Sequence, residues 1–287
     1  MTIQRFAESE LQRMSIAYNT LTLMGDKDGV SVWRVVTDSD SYVMKCFGKQ
    51  EHRREIANYQ LLNSLGVPTL RVIVNTDYSI ILEDIERGDY RLGTAEDLID
   101  PQIAGHIAAW YRKLHDYGRE LANSRPLYDE CDYLTTQNIA VIKDKTDTNS
   151  LQIWEIVAEH FDKIKAAAMN LSRTLTYNDF YYTNLAVAKD NSAALVFDYN
   201  LLGKGYVYAD IRNVCSSLGE EAKAAFISTY GGYDKREKAV DDVVSPLITL
   251  HFACQRERFP AWANGELKKI INGELLAAIE KLLEITR

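Results

Sequence analysis

The chain has 287 residues, 46% of them hydrophobic and 26% charged, enough for one large domain or two lobes around a sizeable core. A formal net charge of -8 argues against generic nucleic-acid backbone binding, which needs clustered lysine and arginine. The four cysteines (Cys46, Cys131, Cys215, Cys254) lie far apart with no C-x-x-C pair, so neither a zinc site nor a disulfide framework is indicated, and reduced, mostly buried thiols are the better reading.

The first residues, MTIQRFAESELQRM, contain no apolar h-region, and no run of about 18 apolar residues occurs in the chain. A cytoplasmic protein without a membrane segment is therefore expected. MGDKDG (24–29) reads as a tight turn, because Gly and Asp tolerate left-handed backbone. VSVWRVV (30–36) and YVMKCF (42–47) read as strands separated by the polar TDSDS. EHRREIANYQLLNSL (51–65) places Ile56, Tyr59, Leu62 and Leu65 on one helical stripe, ended by Gly66 and Pro68. LRVIVN (70–75) and YSIILED (78–84) add two more strands, so the N-terminal third is β-β-α-β-β.

Beyond Arg87 the texture changes. Helical periodicity runs through PQIAGHIAAWYRKLHDYG (101–118) and NSLQIWEIVAEHFDKIKAAAMNL (149–171). Leu175 to Phe197 returns to short strands and turns, and the remainder is mostly helical. Pro246 is expected to start or kink a helix, and ELLAAIEKLLEI (274–285) is an amphipathic helix. There is no internal repeat and no low-complexity linker. Two lobes joined near residues 83–90 fit this pattern better than two independent domains.

The chemistry concentrates in LTYNDFYYTNLAV (175–187), where Asp179 and Asn184 stand five positions apart between apolar, strand-forming residues. After Asn184 come a strand, a polar turn, a second strand and then Asp198, so Asn184 and Asp198 are expected to face each other across a hairpin. A carboxylate and an amide oxygen suit hard Mg²⁺, and Asp179 beside it would accept or orient the proton of an attacking hydroxyl. Taken alone, the spacing is more simply a polar turn. Upstream, Lys45 lies in an apolar strand, where a buried ammonium demands a partner. Glu55, ten residues on in the next helix, is one candidate; the alternative is a lysine with its head in solvent.

In this order the pieces resemble the protein kinase-like fold, most closely its aminoglycoside phosphotransferase and choline kinase branch. YVMKCF followed by HRREIANYQLL is similar to the strand lysine and helix glutamate (Lys45, Glu55) that hold the ATP phosphates. IILEDI (80–85) is similar to the hinge whose backbone, at Glu83 and Ile85, meets adenine. YNDFYYTN resembles the catalytic loop, H-G-D or H-N-D followed by four residues and Asn, with Asp179 as catalytic residue. VFDYNLLGKGYVYADIRNV resembles the metal-binding aspartate region (Asp198), followed by a G-x-x-x-x-D element whose Asp210 braces the loop. The resemblance covers residues 25 to 215. It implies an α+β, bilobal fold: an ATP-binding lobe over 1–86, a small antiparallel sheet plus helix, and a larger, mostly helical catalytic and substrate-binding lobe over 87–287. It also implies ATP with Mg²⁺ held by Asn184 and Asp198, and a small-molecule hydroxyl as acceptor, with no nucleic-acid or membrane partner; the oligomeric state is not implied.

The chain departs from that pattern in four places. Tyr177 replaces the loop histidine, whose hydrogen bonds must be remade or absent. Asn200 stands where Glu is usual, and the phosphate-covering loop carries only Gly25 and Gly29. No A-P-E segment or long activation loop follows Asp198, which disfavours a protein substrate. A nucleotide-binding pseudokinase acting as a regulator is the rival reading. His115 reads as a packing histidine, whereas Tyr181 and Tyr182 read equally as substrate-pocket walls or as cleft filler. Acidic residues after position 87 (Asp129, Glu130, Asp132, Glu220, Glu221, Asp241, Asp242, Glu257) favour an amine-bearing or polyhydroxylated acceptor, with Trp262 as a further aromatic face.

Overall fold

A computed structural model describes residues 2–285; the outermost ends of the two expected lobes, residues 1 and 286–287, lie outside it. In chain order the elements are α1 (Ile3–Arg13), β1 (Thr20–Lys27), β2 (Val30–Val36), β3 (Ser41–Phe47), α2 (Arg54–Leu65), β4 (Val72–Asn75), β5 (Ser79–Glu83) and β6 (Tyr90–Leu92). Then come α3 (Pro101–Ala122), α4 (Thr136–Lys145), α5 (Ile153–Met169), β7 (Thr174–Thr176), β8 (Leu185–Ala188), β9 (Ala194–Val196) and β10 (Gly203–Gly205). The chain closes with α6 (Val207–Cys215), α7 (Glu220–Tyr230), α8 (Lys235–Cys254), α9 (Asn264–Ile271) and α10 (Glu274–Ile285). The architecture is α+β, as expected. Contacts group it into two compact units, one of Met1–Tyr117, Tyr177–Leu202 and Asn213–Gly231, the other of Gly118–Thr176, Gly203–Arg212 and Gly232–Arg287.

The first unit is built on an antiparallel five-stranded sheet in the order β1-β2-β3-β5-β4. Strand β2 alternates, with Ser31, Trp33 and Val35 buried on one face while Val30, Val32 and Arg34 occupy the other. Helix α1, capped by the Thr2 side chain, lays Ala7 and Leu11 against Trp33, Val35, Met44, Cys46 and Ile81. Each large apolar side chain fully buried there contributes roughly 1.5–3 kcal/mol. Glu10 is buried on the same helix, and its carboxylate accepts from Ser79 Oγ at 2.9 Å and from Thr76 Oγ1. Helix α1 and strand β1 are additions to the expected β-β-α-β-β: α1 is amphipathic and begins at the Thr2 cap, whereas most of β1 is exposed and lacks a buried-face alternation. The MGDKDG turn is accordingly shorter than expected. The strand runs through Lys27, and only Asp28 (φ 55°) and Gly29 (φ 89°) take left-handed backbone. Helix α2 ends where Gly66 adopts φ 71°, as expected. A second antiparallel sheet, β6-β8-β9, belongs to the same unit.

In the second unit α8 is the central helix, with Val240, Val243, Val244, Leu247 and Leu250 buried among residues of α4, α5 and α10. Pro246 neither starts nor ends α8 but sits buried inside it. The short pair β7–β10 is antiparallel. Gly203 is the one residue type that fits its place, because a Cβ there would lie 2.2 Å from the Tyr128 carbonyl oxygen. Among the described residues no helix is long and apolar enough to cross a membrane.

Candidate active site

Pleating alone puts Lys45 where a partner is needed. In β3, Met44 and Cys46 belong to the α1-facing core, so Val43 and Lys45 emerge on the opposite face of the sheet. Lys45 is only 8% exposed. Its Nζ donates to both oxygens of Glu55, at 2.7 and 2.8 Å, and to Asp198 Oδ1 at 2.9 Å. All three ammonium hydrogens thus have acceptors. Burial alone would lower the lysine's pKa, but the Glu55 and Asp198 charges and hydrogen bonds outweigh it and raise it. Glu55 lies in the first turn of α2, where the helix dipole favours a carboxylate. Burial nevertheless pushes its carboxyl up to about 7, against the pull of Lys45.

The loop between β7 and β8 carries Asp179 and Asn184. Asn184 Nδ2 donates to the Asp179 backbone oxygen at 3.2 Å and to Asp179 Oδ2 at 3.4 Å. Burial, followed by the neighbouring Asp198 charge, raises the Asp179 carboxyl to about 6. The hairpin β8–β9 pairs Leu185 with Val196, and Phe197 N–H donates to the Asn184 carbonyl at 2.9 Å. Asn184 and Asp198 therefore flank the open end of one hairpin.

Asp198 has φ 69° and Asn178 φ 67°, left-handed conformations that Asn and Asp tolerate better than other non-glycine residues. Side chains hold this backbone from several directions. Tyr177 OH donates to the Phe197 carbonyl at 2.5 Å, Asn58 Nδ2 to the Tyr199 carbonyl at 2.7 Å and Asn178 Nδ2 to the Leu201 carbonyl at 3.0 Å. Arg54 Nε donates to the Asn200 carbonyl. The loop histidine's replacement, Tyr177, is fully buried, and its hydroxyl remakes a bond to the residue just before Asp198. Asn213 Oδ1 accepts the Phe180 N–H at 2.8 Å, a brace on the loop that the spacing of Asp210 does not reveal.

Lys45, Asn184 and Asp198 line a cavity of about 280 Å³, and so do Glu83 and Ile85 at the end of β5. Val32, Val43, Leu70, Leu82 and Phe197 supply its apolar walls. Glu55 stands behind Lys45, and Asp179 joins the group through Asn184. Arg34, absent from the sequence expectations, lines the same cavity; its Nε lies 3.1 Å from Asp84 Oδ2 and its Nη2 2.8 Å from Glu86 Oε2. An arginine on the Lys45 face of an otherwise apolar strand was the available signal. Among the residues singled out as acidic, Asp241 is buried with Tyr206 and Arg212 as partners, and Asp242 pairs with Lys238 at 2.6 Å. His115 is buried, with Nδ1 2.7 Å from Tyr230 OH. Tyr181 is half exposed, its ring 4.5 Å from that of Tyr182.

Residues 23–243 match the phosphotransferase enzyme family (APH). No curated protein sequence matches. Among solved structures, the chain is similar to the choline kinase LicA from Streptococcus pneumoniae, at 14% identity and TM-score 0.66, covering 94% of this chain and 98% of that one. A choline/ethanolamine kinase family protein from Mesorhizobium loti is similar at 15% identity and TM-score 0.66, covering 98% and 99%. Spectinomycin phosphotransferase, APH(9)-Ia, in complex with ADP and spectinomycin, is similar at 11% identity and TM-score 0.58, covering 94% of each chain. At such identities the structural likeness shows the shared kinase-like fold. The match over most of the chain's length shows more: this protein is a member of the phosphotransferase enzyme family.

Proposed function

We propose that the enzyme transfers the γ-phosphate of ATP to a hydroxyl of a small molecule. The observation that carries this reading is the Lys45 ammonium, bound at once by Glu55 and Asp198 on the wall of an apolar-walled cavity. In this reading residues 1–86 form the nucleotide lobe and residues 87–287 the catalytic and acceptor lobe. The purine lies between the apolar walls with its edge toward the backbone of Glu83 and Ile85, and Lys45 positions the phosphates.

The donors present fit Mg²⁺. Asp198 keeps one carboxylate oxygen beyond the Lys45 bond, and Asn184, whose Nδ2 is engaged, keeps its amide oxygen. Both are hard oxygen ligands, and two protein ligands leave room for phosphate oxygens and water. Bound there, the ion would neutralise charge on the phosphates. Asp179 holds the acceptor hydroxyl and takes its proton as the acceptor oxygen bonds to phosphorus and the bond to the ADP oxygen breaks. A carboxyl titrating near 6 is ionised at pH 7 and basic enough to assist. Positioning and charge neutralisation carry the catalysis.

The acceptor in this reading is amine-bearing or polyhydroxylated, supported by the net charge of -8 and the exposed Tyr181 ring two positions from Asp179. The regulator reading is not favoured: of its two motives, the altered Tyr177 and the sparse glycine loop, the first is answered by the Tyr177 bond. Thermal-shift titration with Mg-ATP, followed by ADP release across amino-alcohols, aminoglycosides and sugar acids, tests the proposal. ADP release with the amines and retention of ATP with the acids is expected. Turnover of anionic acceptors alone would reject the acceptor class.

A further inference from the structure

The β1–β2 turn presents a cation that the chemistry so far leaves unused. Across antiparallel strands, directly paired residues share a face. Lys45 pairs with Val32, and Val32 with Gly25, so these three share the cavity face that Val32 and Lys45 line. Lys27 pairs with Val30 and lies two residues beyond Gly25, hence on that same face, about 7 Å further along the strand. Asp26 alternates to the opposite face. Lys27 is exposed and has no ion pair among the described residues, although aspartates flank it on both sides. The left-handed pair Asp28 and Gly29 turns the hairpin immediately after it, with the Lys49 stem packed against Gly29. The Lys27 charge is also felt by the Asp179 carboxyl, so the two lie within electrostatic reach.

We propose that Lys27 is a second phosphate-neutralising cation of the cleft, contacting the terminal phosphate of the nucleotide in place of the amides of a full glycine-rich loop. The inference rests on the phosphotransferase reading above. Lys45 is fixed by two carboxylates, whereas Lys27 stands unpaired among the described residues at the turn end of the same sheet face, and both charges reach the Asp179 carboxyl, where in this reading the transferring phosphoryl group meets its acceptor. Negative charge there spreads over the equatorial oxygens during transfer, and a fixed cation stabilises it. The loop's short supply of glycine then has a reason. A side-chain ammonium reaches the phosphate, so the backbone need not approach it.

The test is equilibrium titration of AMP, ADP and the β,γ-imido analogue of ATP, each with Mg²⁺, into the wild-type chain and Lys27→Gln, Lys27→Arg and Lys49→Gln. Lys27→Gln should weaken the ATP analogue about tenfold, the scale of one partly solvated charge-assisted contact. ADP and AMP should stay within about twofold on that scale. Lys27→Arg should restore most of the loss, and Lys49→Gln should cost little. Equal losses for all three nucleotides, no loss, or an equal loss in Lys49→Gln would overturn the assignment while leaving the phosphotransferase reading intact. Failure of the wild-type chain to bind any nucleotide would remove both.

Discussion

Two carboxylates of this protein, Asp241 and Asp198, hold cations in different ways. Arg212 Nε donates to Asp241 Oδ2 at 2.8 Å, and Tyr206 OH donates to Asp241 Oδ1 at 2.8 Å. Asp241 is 1% exposed, and each of its oxygens has a donor. Lys45 is also fully satisfied, but its second carboxylate is not: Asp198 spends one oxygen on the lysine and keeps 29% of its side chain exposed beside the cavity. The enclosed carboxylate, Asp241, has a donor on each oxygen even though the Arg212 side chain reaches partly into solvent. Asp198, the carboxylate proposed to receive a ligand, leaves an oxygen open, and the surrounding chain must then keep that oxygen in place. The side-chain bonds to the carbonyls of Phe197, Tyr199, Asn200 and Leu201 do this.

The largest effect is expected from the open site. Asp179→Asn should lower turnover by about 10²–10⁴-fold, the usual contribution of a positioned acid–base group, while nucleotide affinity stays within a few-fold. Parallel collapse of nucleotide affinity would break the separation between acceptor and phosphate roles. The pH profile sharpens the same point. Asp179 accepts a proton only when ionised, so kcat/KM should fall about tenfold per unit below the carboxyl's value of about 6 and level off above it. A flat profile between pH 5 and 7 would exclude Asp179 as the base.

At the closed pair, Arg212→Met should destabilise the fold by about 3–5 kcal/mol in urea, because it strands a buried carboxylate. Lys45→Met should cost less, because the Glu55 carboxyl already sits near 7 and can take up a proton. Equal losses of stability would dissolve the contrast between the two regions.

Much of the cleft was legible because it is built from local periodicity. The strand around Lys45, the helix around Glu55 and the hairpin between Asn184 and Asp198 each follow from short-range patterns, and ten residues separate Lys45 from Glu55, whereas its second carboxylate, Asp198, lies 153 residues away. What the sequence hid depends on distant partners. Arg34 meets Asp84 fifty residues away, Asn213 meets Phe180 across thirty-three, and the Tyr177 hydroxyl has meaning only once Phe197 is placed beside it. Strand β1 went unmarked for another reason: an exposed edge buries too little to impose an alternation.

Smaller effects concern the metal and the lysine. Asp198→Ala should weaken Mg²⁺-dependent nucleotide binding by at least about 10–100-fold, the range lost even when a group that only orients a metal ligand is removed. Asn184→Ala should cost less, since an amide brings an oxygen but no charge. Equal, mild changes in the two titrations would remove the metal assignment. Lys45→Met should impair nucleotide binding more than Glu55→Gln, and in the same direction, because the lysine keeps its attraction for phosphate without its orienter. No effect of Glu55→Gln beside a severe one for Lys45→Met would undo the pairing.

Phosphoryl transfer at this cleft is tested most directly by ³¹P NMR of ATP and Mg²⁺ mixed with the wild-type protein or Asp179→Asn and a panel of amine-bearing and polyhydroxylated alcohols. Phosphotransfer predicts loss of the γ signal, growth of ADP and a new phosphomonoester resonance with wild type, and an unchanged ATP spectrum with Asp179→Asn. ATP that binds yet stays intact across the panel, or equal turnover by the two proteins, would contradict it.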